Sequence, residues 1–91
     1  MKREFCITET DGHVLTVTID RPDVMNSLHP PANAELGAVF DEFAADPELW
    51  VAIVTGAGDR AFSAGNDLKY QAAGGERTPF PKGFGGLTAR F

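Results

Sequence analysis

The apolar run Trp50-Val51-Ala52-Ile53-Val54-Thr55, closed by Gly56, constrains the fold most. It is too short for a typical helix and rich in β-branched residues, which suits a strand buried on both faces. A helical pattern precedes it. Leu36, Phe40, Phe43 and Ala44 recur at helical spacing with Val39 beside them. Glu35, Asp41 and Glu42 fall on the wetter side. Pro30 and Pro31 suit a first helical turn, where the missing N–H groups cost nothing, and Asp46-Pro47 ends the helix. Upstream, Val14, Thr16 and Thr18 alternate with Leu15, Val17 and Ile19 over a second strand, His13 to Ile19. Strand, helix, strand makes a parallel pairing natural.

The chain opens with a hairpin. Glu4 to Thr10 reads as a strand with Phe5, Ile7 and Glu9 on one face and Cys6 and Thr8 on the other. Asp11-Gly12 is a tight-turn signal, because glycine tolerates positive φ. Asp20-Arg21-Pro22-Asp23 breaks the second strand, since Pro22 removes a donor and holds Arg21 extended. Asn66 to Ala73 has weak helical character. From Gly74 the chain is rich in Gly and Pro and reads as a surface loop with a helical turn near Leu87. The class is α/β.

Composition narrows the functions. The chain has 91 residues, suiting one small domain or part of a larger one. Net charge is −5 and no basic run exists, so phosphate neutralisation on a nucleic acid has no support. No apolar run approaches the ~18 residues of a membrane span, and the N-terminus lacks the apolar region of a signal peptide. Cys6 is the lone cysteine, which precludes an internal disulfide, fits a reducing compartment and suggests a packed side chain. The default location is cytoplasmic. His13 and His29 have no Ser or Cys partner in a nucleophile motif.

The glycine-rich turn after the apolar run admits two readings. Gly56-Ala57-Gly58-Asp59-Arg60-Ala61 formally fits a dinucleotide fingerprint. That fingerprint needs a helix opening at the turn and an acidic residue ~20 positions later. Phe62-Ser63-Ala64-Gly65 is a poor helix opening, and Gly/Pro loop follows. Arg60 and Phe62 occupy the later glycine positions of the short-chain dehydrogenase pattern. The second reading places the functional turn at Phe62 to Leu68. Small residues there admit a ligand close to the backbone, and free N–H groups at a helix start can hold an oxyanion. A plain strand-to-helix connection, with Asp67 near the helix start, fits the same residues.

Val51 to Lys69 resembles the first signature of the crotonase, or enoyl-CoA hydratase/isomerase, superfamily. VLTVTIDRPDVMNSL, from Val14 to Leu28, resembles that family's opening strand and its R-P-x-x-x-N-x-L segment. The resemblance implies a partial crotonase-like ββα superhelix: N-terminal hairpin, helix, buried strand and oxyanion-hole turn, truncated. Residues 1–73 would be the N-terminal part of the core. Residues 74–91 would be a Gly/Pro-rich loop, with the chain ending before the second half of the domain. FSAGNDLK followed by GFGGLTARF is similar to the carnitinyl-CoA dehydratase branch.

The resemblance also implies roles. Asn66 would supply one oxyanion-hole N–H, although many relatives carry a small or apolar residue there. Ala64 would lie beside the acyl-CoA and offer backbone to the adenine end. Gly65 and Asp67 would shape the turn, with Leu68 among the substrate-binding residues. Val24, Met25 and Ser27 would line the CoA entrance. Arg21 or Lys69 would be solvated surface charge or meet the CoA phosphates. The second oxyanion donor and the acid/base glutamates would lie beyond Phe91. The implied substrate is a coenzyme A thioester, with no separate cofactor or metal. The implied intact protein is a homo-oligomer, a trimer or hexamer.

Overall fold

The structure is a computed structural model that describes residues 1–65. Strand β1 (Cys6–Asp11) turns at Gly12 and His13 into β2 (Val14–Ile19). A 3-10 turn at Pro22–Val24 leads to helix α1 (Pro30–Ala45), and strand β3 (Val51–Gly56) follows. The sheet order is β1-β2-β3. β1 and β2 are antiparallel, with Cys6 opposite Ile19 and Asp11 opposite Val14. β2 and β3 are parallel, with Val14 opposite Val51 and Ile19 opposite Gly56.

The alternation of β2 sets the core. Leu15, Val17 and Ile19 are buried, and α1 adds Ala32, Leu36, Val39 and Phe40 to the same cluster. Pro30 and Pro31 occupy the first turn of α1, where helix N–H groups have no internal partner. His29 caps that end: its ring nitrogen accepts the Ala32 N–H at 3.4 Å. At the other end, the Asp46 side chain accepts the Glu48 N–H at 2.9 Å, and Leu49 N–H donates to the Asp46 carbonyl at 3.2 Å. The chain thus turns before β3. His13 holds the entry to β3. Its carbonyl accepts Trp50 N–H at 2.8 Å, and its ring stacks on Trp50 with centroids 3.7 Å apart.

Two expectations are corrected. Among the described residues β3 is covered on one face only: Ala52 and Val54 pack on the core, whereas Val51 and Ile53 are about half exposed at 51% and 50%. α1 lies against one side of the sheet, and among the described residues no other helix covers the opposite side. Glu35 is not a solvated helix residue. It is half-buried, and its carboxylate accepts the N–H of Glu4 at 3.0 Å and of Phe5 at 2.8 Å. Its charge also acts on the Cys6 thiol. Asp41 and Glu42 are exposed as read, with Glu42 paired to Arg3.

Cys6 is fully buried and free. Burial foremost, then the hydrogen bond and charge of Glu35, pushes its thiol up to about 12. A neutral thiol in the core is a packing group, not a nucleophile. The helix expected over Asn66 to Ala73 lies outside the described residues.

Candidate functional site

Two irregular segments meet at the C-terminal ends of β2 and β3. The first reverses the chain after β2. Val24 N–H donates to the Arg21 carbonyl at 3.1 Å, and Asn26 N–H donates to the same carbonyl at 2.8 Å. Met25 and Asn26 then adopt left-handed backbone, with φ of 57° and 55°. Asparagine tolerates that region, whereas a residue such as Met carries a cost of about 1–2 kcal/mol. The reversal turns Asn26 inward, where it is 1% exposed.

The second segment follows β3. Ala57 N–H donates to the Ile19 carbonyl at 2.7 Å, continuing the parallel ladder. The loop then folds back over Gly56. A Cβ on Gly56 would lie 2.2 Å from the Phe62 carbonyl oxygen and 2.8 Å from that of Ala61. This glycine permits close approach of one backbone to another. No helix opens anywhere from residue 57 to 65, so the dinucleotide arrangement is absent there.

Asn26 joins the two segments. Its Oδ1 accepts the Arg21 N–H at 2.9 Å. Its Nδ2 donates to the Ala57 carbonyl at 2.9 Å and to the Ala61 carbonyl at 2.8 Å. Ser63 Oγ donates to the Asn26 carbonyl at 2.8 Å and accepts Gly65 N–H at 3.1 Å. Ala64 N–H donates to the Met25 carbonyl at 2.9 Å, and Leu28 N–H donates to the Gly65 carbonyl at 2.6 Å. Gly65 has φ of 85°, a conformation suited to glycine.

Beside this join lies an open depression of about 390 Å³, bordered by Thr55, Gly58, Arg60 and Phe62. A smaller one of about 120 Å³ lies between Met25 and the residues from Ala57 to Ala61. Met25 therefore borders a hollow. Val24 is half-buried, and Ser27 is buried at 6% exposure. Ala64 is exposed, with its N–H committed to Met25. Arg21 turns its guanidinium inward: Nη1 donates to the Ser27 carbonyl at 2.6 Å, and the group stands 5.8 Å from the Phe5 ring centre. Asn66, Asp67, Leu68 and Lys69 lie outside the described residues.

Sequence reasoning assigned no role to Asn26. The available signal was an asparagine placed shortly after a Pro-initiated turn, where positive φ is common for that residue. Among the described residues no group of three His, Cys, Asp or Glu side chains could hold a metal ion. Among the same residues no helix is long and apolar enough to cross a membrane.

The family model for enoyl-CoA hydratase/isomerase matches residues 9–84. A carnitinyl-CoA dehydratase of Escherichia coli strain K12 is 48% identical over 84 residues, covering 89% of this chain and 31% of that protein. The carnitinyl-CoA dehydratase of Citrobacter koseri is 48% identical over 83 residues, covering 88% and 31%. The crystal structure of carnitinyl-CoA hydratase from Mycobacterium avium superposes with a TM-score of 0.83 at 38% identity, covering 93% of this chain and 34% of that one. An enoyl-CoA hydratase from Mycobacterium tuberculosis H37Rv gives 0.82 at 34% identity, covering 94% and 33%. The chain thus spans about a third of the length of the relatives it matches. With the family model spanning most of the chain and the fold agreeing at this identity, the chain belongs to the enoyl-CoA hydratase/isomerase, or crotonase, family.

Proposed function

We propose that this chain carries part of the acyl-CoA site of a cytoplasmic 2-enoyl-CoA hydratase/dehydratase. Hydration places hydroxide on C3 and a proton on C2 of the enoyl group, through an enolate whose charge sits on the thioester oxygen. Backbone donors fixed at that oxygen are worth about 2.7–4 kcal/mol each. In this reading the N–H of Asn66 is one donor, and Val24, Met25, Ser27, Ala64, Gly65, Asp67 and Leu68 contribute to holding the CoA thioester. The thioester is the substrate and no further cofactor is invoked. The second donor and the acid/base pair come from sequence outside this chain. The whole enzyme is a trimer or hexamer of identical subunits.

The observation that carries the reading is the tying of residues 61–65 onto residues 25–28 beside an open depression, in a chain of this family. Titration of the purified 91-residue chain with crotonyl-CoA tests it. Saturable shifts of the Met25, Gly58 and Ala64 amide signals are expected, without hydration of the ligand. Shifts absent, or confined to the far end of the sheet, refute the acyl-CoA reading. Turnover of crotonyl-CoA refutes the assignment of the acid/base pair to sequence elsewhere.

A second reading has its own observation. Among the described residues β3 is an edge strand, with Val51 and Ile53 exposed and Trp50 exposed just before it, which suits a non-catalytic assembly piece that pairs with another subunit. Light scattering on the purified chain decides this: a monomer at all concentrations rejects edge pairing.

A further inference from the structure

We propose that Asn26 and Ser63 are positioning residues that fix the turn from residue 61 to 65, acting through the backbone and not by touching a ligand. What that turn serves rests on the thioester reading above; the bracing rests on hydrogen bonds alone.

The argument starts from Asn26. Its side chain has one acceptor and two donors in use, to Arg21, Ala57 and Ala61. A buried amide with these partners can be replaced by no other side chain without leaving a polar group unpaired. The amide spans two carbonyls of the loop after β3 and so sets the curvature of that loop. Its own carbonyl receives Ser63 Oγ, which in turn accepts Gly65 N–H. Leu28 N–H then holds the Gly65 carbonyl at 2.6 Å. The Gly65 N–H, through Ser63, and the Gly65 carbonyl are therefore both tethered to the 26–28 segment. Side chains that need touch no ligand thus fix where the backbone of this turn lies.

Amide hydrogen exchange on the 91-residue chain tests the bracing, using Ser63→Ala, Ser63→Thr and Asn26→Asp. Losing one neutral hydrogen bond that opens locally corresponds to about a tenfold fall in protection. Ser63→Ala is expected to lower protection of Gly65, Ala64 and Leu28 by about tenfold while the amides of β2 keep theirs. Ser63→Thr retains a hydroxyl and restores protection. Asn26→Asp keeps Oδ1 and removes both donors, so the same amides lose protection by more than tenfold. An equal fall across β2 marks mere packing residues and overturns the proposal, as does no change at all. Crotonyl-CoA affinity is read on the same proteins. It is expected to fall about tenfold in Ser63→Ala and to recover in Ser63→Thr. Local loosening with unchanged affinity overturns the positioning role. Local loosening in a chain whose unsubstituted form does not bind crotonyl-CoA leaves the bracing standing and overturns the thioester reading.

Discussion

Gly56→Ala examines the contact on which the loop after β3 depends. The new methyl would stand 2.2 Å from the Phe62 carbonyl oxygen, 2.8 Å from that of Ala61 and 2.8 Å from Asn26 Nδ2. Carbon–oxygen contacts settle at about 3.3–3.6 Å, so the Phe62 carbonyl must retreat by about 1 Å. That retreat drags Ala61, whose carbonyl is held by Asn26. A buried donor left without a partner costs about 1–3 kcal/mol, and overpacking alone costs a similar amount. A loss of about 2–4 kcal/mol follows, a large part of the stability of a small domain. Gly56 is not among the glycines with positive φ, so the cost lies in the contact and not in the backbone conformation. Gly12→Ala is the opposite case, with φ of 60° and nothing within 4 Å of the added methyl. It is expected to cost about 1 kcal/mol. Urea unfolding of both variants, followed by circular dichroism, measures the difference. If Gly56→Ala proves no costlier than Gly12→Ala, the close approach of the two backbones is not what this glycine secures.

Glu35→Gln removes one of the two acceptors that serve the Glu4 and Phe5 amides, so stability should fall by about 1–2 kcal/mol in urea unfolding. The same change removes the charge that helps raise the Cys6 thiol, so alkylation of Cys6 should begin at lower pH than in the parent chain. Cys6 itself makes stability depend on pH. Its thiol is raised from 9.0 to about 12 in the folded chain, so between those values the native state keeps a proton that the unfolded state has lost. Stability is fully present below pH 9 and declines above it, by at most about 1.4 kcal/mol per pH unit from this group. Cys6→Ala should remove that alkaline slope from the urea midpoints. His13→Ala unstacks Trp50 and should shift its fluorescence emission, at a cost under about 1 kcal/mol because both rings are largely exposed.

Much of the fold was legible because it follows from local rules. The β-branched alternation of β2 puts Leu15, Val17 and Ile19 inward, and Gly12 supplies the positive φ of the hairpin. The two prolines and Asp46-Pro47 mark the ends of α1. The parallel pairing of β2 with β3 follows from the intervening helix. The apolar run of β3 was less informative, because periodicity reports what a strand is able to bury, not which neighbours are present to bury it. Glu35 was misread for a related reason: helical spacing places it on a polar stripe, and its partners come from the arm before β1. Asn26 was invisible as a brace, since its amide partners are Ala57 and Ala61. No local pattern connects residues so far apart.

That distance governs when the site can exist. The bonds from Asn26 and Ser63 span 31, 35 and 37 residues. Such links are held while β2, α1 and β3 are docked, because that docking carries the loop-closure entropy, which grows slowly with length. The shape of the 57–65 turn thus depends on the docking of the whole scaffold and is lost wherever that docking opens.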